Sequence, residues 1–318
     1  MISGSVRRTF VTIAVAGAVF ATAPARAQQV PDTAYKPPIA KPAFATGKGP
    51  RVVIDGGHHN FHTVDGRYQP FANLLRRDGY RVTGSTSPFT ADSLKAADVL
   101  VIANALAAVN DPATGNWSLP TPSAFTADEI AAVAKWVEGG GALLLIVDHM
   151  PMPGTAGDLA RTFGIEFSNG FAGQKDETGL GPTTFSVAAG TLQKGPWSEG
   201  RAATERVDSV VTFTGSAFYA GPKVTPVLVF PDGFVSLTPE AAWQFKPETP
   251  RVPIKGWCQG AVLASGKGRV AVFGEAAMFT AQLAGPTKTS MGMNVPAAAR
   301  NYQFLLNVMH WLAASAAP

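Results

Sequence analysis

Gly139-Gly140-Gly141-Ala142-Leu143-Leu144-Leu145-Ile146-Val147-Asp148-His149 decides the fold. The glycines break any preceding helix. The apolar run is too short for a helix and reads as a strand buried on both faces. An acid and a histidine follow at once. Two other runs have the same form. Val52-Val53-Ile54 leads into Asp55-Gly56-Gly57-His58-His59-Asn60-Phe61-His62, and Val270-Ala271-Val272-Phe273-Gly274 leads into Glu275. Four of the five histidines lie in the first two clusters. As parallel strands of one sheet, these runs would share the carboxyl edge where open α/β sheets bind ligands.

Working outward, Thr126-Ala127-Asp128-Glu129 fits a capping box, with Ile130, Val133 and Val137 continuing one helix face. Upstream, residues 51–54, 80–83 and 99–103 read as strands, the last ending at Asn104. A helix with Pro70 near its start and Gly79 at its end lies between the first two, and residues 94–97 form a short helix. A Pro/Asn/Thr-rich loop spans 107–125. Downstream, 155–163 reads as a helix with Thr155 at its N-cap. From 168 to about 256 the helical rhythm gives way to Gly, Pro, Thr and Val, which predicts an irregular β-rich insertion. Residues 261–264 and 269–273 flank the hairpin-like Ser265-Gly266-Lys267-Gly268, and Pro296 opens a last helix lined by Tyr302, Leu305, Val308 and Leu312. The alternation predicts an α/β fold, a mostly parallel sheet flanked by helices, in one domain over 51–318.

Residues 1–27 read as a cleaved signal peptide. Arg7 and Arg8 precede a small apolar stretch, and Ala25-Arg26-Ala27 is an A-x-A cleavage site. The paired arginines fit a twin-arginine or an ordinary secretory signal. Either implies a periplasmic or secreted protein without a stable membrane anchor. Of 26 Lys and Arg, three lie in that segment with no acid, leaving 23 basic against 22 acidic side chains. No basic stripe interleaved with aromatics remains, so nucleic acid is not an expected partner. Residues 28–50, rich in Pro, Ala, Lys and Gly, read as a flexible linker. Cys258 is the single cysteine, so no intrachain disulfide can form.

Asp55, His58, His62, Asp148, His149 and Glu275 are ligand types for a divalent metal, which would acidify a bound water. Their spacing matches no metal motif, since the Glu of H-E-x-x-H is absent between His58 and His62. A metal-free site would use His149 as general base, with Asp148 or Glu275 orienting it. A hydrogen-bonded network ordering the loops is the third possibility. His58, His59, His62, Arg67 and Asn104 are candidate ligand-binding residues, Arg67 as an anion clamp. His58 and His59 are adjacent, so an extended chain points them apart. Glu275 could instead cap the next helix, and Asp55 could order its own loop. Cys258 has no His near it in sequence and reads as a small buried residue. His310 reads as a packing residue. No G-x-S-x-G elbow occurs, and Ser265-Gly266-Lys267-Gly268 lacks the phosphate-loop pattern.

The order β-DGGHHNFHT, helix, β, helix, β, capped helix, GGGALLLIVDHM, insertion, GKGRVAVFGEAAMF, final helix resembles secreted bacterial domain-of-unknown-function proteins. Those proteins have a class I glutamine-amidotransferase-like, flavodoxin-like fold. The resemblance covers residues 50–314. Gly266-Lys267-Gly268-Arg269 and the triple glycine are widely shared, whereas 55–67 and 148–153 are more particular to this group. Amidotransferases of this fold carry a nucleophilic Cys on the turn after a central strand. Here that turn is Asp148-His149-Met150-Pro151, and Glu275 has no His beside it. The resemblance therefore implies the fold without glutamine hydrolysis. Related domains occur in gliding-motility and transport-accessory proteins and beside carbohydrate enzymes. It thus implies either binding and hydrolysis of a small polar, carbohydrate-derived ligand, or a non-catalytic binding or assembly module.

Overall fold

A computed structural model describes residues 29–175 and 180–314. The expected signal peptide, 1–27, lies outside the described residues. Among the described residues the central sheet has nine strands. In chain order they are β1 (Arg51–Asp55), β2 (Arg81–Ser85), β3 (Val99–Ala103), β4 (Ala142–Ile146), β5 (Ile165–Phe167), β6 (Phe218–Ala220), β7 (Thr225–Val229), β8 (Cys258–Ser265) and β9 (Gly268–Phe273). The spatial order is β2-β1-β3-β4-β9-β8-β6-β5, with β7 also on β8. From β2 to β9 neighbours are parallel. From β9 onward they are antiparallel.

Alternation along the strands divides the core into two layers. Val52, Ile54, Val101, Leu144, Ile146 and Phe273 pack with Phe71, Leu75, Leu305 and Val308. The last four belong to α1 (Gln69–Arg77) and a C-terminal helix. Leu100, Ile102, Leu143, Leu145 and Val272 pack on the other face with Val133, Val137, Leu159 and Ala160. These come from α2 (Ala127–Glu138) and α3 (Met152–Thr162); the C-terminal helix is α4 (Asn301–Ala313). Helices on both faces are why β3 and β4 are apolar without interruption.

The capping box forms. Thr126 Oγ1 accepts from Glu129 N at 3.2 Å, and Glu129 Oε2 accepts from Thr126 N at 3.0 Å. Thr126→Ala is expected to cost about 1 kcal/mol by thermal or urea denaturation. Two other helix starts differ from expectation. Thr155 is not an N-cap. The helix begins at Met152 because Pro153 suits its first turn, and Thr155 Oγ1 donates to Ala105 O at 2.7 Å. Pro296 opens only a 3-10 turn, Pro296–Ala298, and α4 begins at Asn301.

Residues 29–50 are mostly irregular, but they are anchored rather than a free linker. Gln29–Pro31 pairs antiparallel with Ala281–Ala284, and Tyr35, Ile39 and Phe44 pack on the core. The linker reading weighed the prolines and missed these apolar anchors. Over 168–256 the chain forms short strands. β6 and β7 extend the sheet. Phe171–Gln174, Phe234–Leu237 and Arg251–Pro253 make a separate three-stranded sheet, and Thr183–Ser186 pairs with Ser209–Thr212. No helix among the described residues is long and apolar enough to cross a membrane.

Register places the site. Ile54 pairs with Val101, Ala103 with Ile146, and Ile146 with Phe273. Asp55, Asn104, Asp148 and Glu275 therefore emerge at one edge, the carboxyl end of the parallel strands.

Candidate functional site at the carboxyl edge of the sheet

Asn104 joins the clusters. It ends β3 with φ of 52°, a left-handed conformation that Asn tolerates better than most residues. Its backbone carbonyl accepts from Phe61 N at 2.9 Å. Its side-chain Oδ1 accepts from Asp148 N at 2.9 Å, and its Nδ2 lies 3.1 Å from His62 Nδ1. Donor and acceptor roles follow in sequence. Asp148 N–H can only donate, so Oδ1 accepts and Nδ2 donates. His62 Nδ1 must then be the bare nitrogen, and Nε2 carries the proton. His62 Nε2 is buried and has no hydrogen-bond partner among the described residues. Burial, then the Arg67 charge, hold the His62 imidazole well below its usual pKa, so the ring is neutral.

His149 has the opposite tautomer. Its Nδ1 donates to Met150 O at 2.8 Å, so in the neutral ring Nε2 is the bare nitrogen, with no hydrogen bond among the described residues. Phe171 stacks on the ring at 4.5 Å, Trp243 meets it edge-on at 4.7 Å, and Trp117 lies at 6.0 Å. Trp243 has φ of 68°, which bulky side chains avoid and which costs on the order of 1–3 kcal/mol. The loop holding it is tied to the 107–125 loop by Leu119 N to Glu240 O and Ala242 N to Trp117 O, both 2.8 Å. Trp243 is 49% exposed, so the aromatic wall opens to solvent. Asp148 Oδ1 accepts from His149 N at 2.8 Å, and Oδ2 makes no hydrogen bond among the described residues.

His58 is buried and occupied on both nitrogens. Nδ1 meets Asp55 Oδ2 at 2.9 Å and Nε2 meets Glu129 Oε1 at 3.0 Å. Both partners are carboxylates, so both nitrogens donate and the ring is an imidazolium. Burial opposes that charge, yet the hydrogen bonds and charges of Asp55 and Glu129 outweigh it and raise the His58 pKa. For Glu129 burial again opposes the charge, but donors from Thr126, His58 and Phe89 carry its pKa down to about 2. Asp55 is equally committed, accepting from Gly57 N at 3.0 Å and Asn60 Nδ2 at 2.9 Å. This clamp pins the histidine loop to the start of α2. His59, with φ of 47°, turns outward and pairs with Asp111.

Glu275 is fully buried. Its oxygens accept from Ala277 N at 2.8 Å and Met278 N at 2.7 Å, capping the turn Ala277–Phe279. Burial first, then the Asp148 charge, push its carboxyl well above the usual range, against the pull of backbone donors. Tyr68 donates to Ala276 O at 3.0 Å and is raised well above the ordinary tyrosine value by burial and by the charges of Glu275 and Asp148.

The residues read as a metal set are thus not arranged as one. Among the described residues no group of three or more His, Cys, Asp or Glu side chains could hold a metal ion. Asp55 and His58 satisfy each other and Glu129, His62 turns its bare nitrogen to Asn104, and Glu275 faces backbone N–H groups. Asp148 and His149 remain as open acceptors. Arg67 is half-buried, lies over the Phe61 ring at 3.8 Å, and makes no ion pair among the described residues. Cys258 is buried, which pushes its thiol up to about 12 and makes it a poor nucleophile. His310 Nε2 lies 2.6 Å from Asp78 Oδ2, joining α4 to the end of α1.

Sequence reading missed the aromatic wall. Phe171, Trp117 and Trp243 come from three distant segments with no common motif. It found Glu129 as a cap but not as the partner of His58.

No protein-family model matches the chain, and no curated protein matches it. Among solved structures it is similar to the mmIFT52 N-terminal domain, at 13% identity and a TM-score of 0.53, covering 82% of this chain and 96% of that one. That likeness concerns the fold alone. It is also similar to a GMP synthase-like protein from Thermoplasma acidophilum (11% identity, TM-score 0.42, covering 84% of this chain and 96% of that one). A ThuA-like protein from Bacteroides uniformis matches at 12% identity and a TM-score of 0.44, covering 83% of this chain and 92% of that one.

Proposed function

We propose that the carboxyl edge of the sheet binds a small polar, carbohydrate-derived ligand, and that His149 acts on it as a general base in a hydrolytic reaction outside the cytoplasm. One observation carries this reading. In an edge where almost every polar atom is committed, His149 Nε2 is an acceptor with no partner among the described residues, and its tautomer is held by the Met150 carbonyl. A fixed tautomer is what a general base needs. A water donating to Nε2 would lose its proton there as its oxygen attacks an electrophilic carbon of the ligand and the bond from that carbon to the leaving oxygen breaks. The imidazolium so formed would return the proton to the leaving oxygen. Asp148, with Oδ2 open, would stabilise that imidazolium. Phe171, Trp117 and Trp243 would supply apolar faces for the ligand body and exclude water.

A second reading, binding without turnover, is favoured by two features. The turn after β4 carries no Cys, and Glu275 is spent on capping. His149→Ala separates the two. Saccharide binding by calorimetry and release of nitrophenol from a panel of nitrophenyl glycosides and esters would be measured together. The catalytic reading expects turnover to fall about 10²–10⁴-fold while binding persists. Wild-type binding with no turnover on any panel member would favour the binding module. A wild-type protein that neither binds nor turns over any of them would sink both.

A further inference from the structure

Two buried donors at this edge lack an acceptor among the described residues. His62 is 3% exposed, and its Nε2, the protonated nitrogen, has no partner there. Arg67 Nε is likewise buried and unpartnered, while one Nη donates to Phe61 O at 3.3 Å. The two groups are neighbours across one ring. Arg67 lies over Phe61, and Phe61 meets His62 edge-on at 5.4 Å. The Arg67 charge is also felt at His62. Each unmet buried donor costs roughly 1–3 kcal/mol, so native proteins retain few of them without a reason.

The nearby carboxylates do not meet this need. Asp55 is held by His58, Gly57 and Asn60. Glu275 accepts from backbone N–H groups; Asp148 Oδ1 accepts from His149 N, and its open Oδ2 accepts from neither donor. No described residue thus supplies an acceptor for either donor. Arg67 carries a permanent positive charge and no ion pair among the described residues, which favours an acceptor that is itself negative. The same aromatic wall runs on from this corner to the base. Phe61 meets Trp117 at 5.3 Å, and Trp117 lies 6.0 Å from His149. These rings lie between the two donors and the acceptor nitrogen.

We infer that the ligand carries a carboxylate, received by His62 Nε2–H and the Arg67 guanidinium, with its reacting end directed at His149. The class is an acidic sugar rather than a neutral one. This rests on the ligand-binding reading above.

Calorimetry with matched pairs, glucose with glucuronate and galactose with galacturonate, tests it on the purified protein. The acidic member is expected to bind at least about tenfold more tightly in low salt. Arg67→Met should abolish that preference. Should Arg67→Met fail to fold by circular dichroism, Arg67→Lys retains the charge without the planar fork and is expected to show a reduced preference. Equal affinity for acid and neutral sugar in the wild type, or a preference that Arg67→Met or a folded Arg67→Lys leaves intact, overturns the inference. Binding of neutral sugars alone would overturn it while leaving the ligand-binding reading in place. Failure of all four sugars would count against both.

Discussion

His58→Ala is expected to lower the unfolding free energy by about 3–5 kcal/mol, because it leaves two carboxylates facing each other without the cation between them. Asp55 is 1% and Glu129 9% exposed, so neither can recover its hydration without moving the loop. Chemical denaturation followed by circular dichroism measures the loss, and a shift below about 1 kcal/mol would refute the clamp. The pH dependence has a definite sign. Glu129 is lowered from the ordinary 4.5 to about 2, so its contribution is present above pH 4.5 and lost as pH falls toward 2. His58 is raised above the ordinary 6.5, so its contribution is full below pH 6.5 and lost as pH rises through its elevated value. The clamp therefore stabilises most between about pH 4.5 and 6.5, and His58→Ala should flatten the stability profile on both flanks.

Gly268→Ala should cost about 3 kcal/mol, at the upper end for an overpacked core. A Cβ at that position would lie 2.1 Å from Val137 O and 2.2 Å from Gly141 O. Both neighbours are backbone and cannot swing aside. Gly268 begins β9, so relief of the clash would separate β9 from the end of α2 and from β4. The physical content of Gly266-Lys267-Gly268-Arg269 lies here. Gly266 takes φ of 60° to turn the hairpin, and Gly268 admits the carbonyls that end α2 and precede β4. A variant melting within about 2 °C of the wild type would refute this account.

The parallel edge was legible because its signal is local. Apolar runs covered by helices on both faces stay apolar throughout, and each ends in a polar residue where the chain leaves the core. The capping box at Thr126 was legible for the same reason. Roles were less so. His58, His59 and His62 sit close together on one loop and look alike in a sequence. Folded, His58 is an imidazolium in a clamp, His59 faces outward to Asp111, and His62 is neutral with one donor unmet. Each fate depends on a partner 42 to 71 positions away. The anchoring of Gln29–Pro31 on Ala281–Ala284 is the same kind of fact, since strand pairing across the chain leaves no local mark.

By itself the sequence determined the succession of strands and helices in an α/β chain and the positions where its polar residues meet the edge, since helix caps, turns and two-sided burial act over a few residues. Tertiary structure alone decided which of those residues remain free to do chemistry. Hydrogen-bond capacity is finite, and only the assembled neighbours of Asp55, His58 and Glu275 reveal that theirs is already used, while His62, Arg67 and His149 retain some.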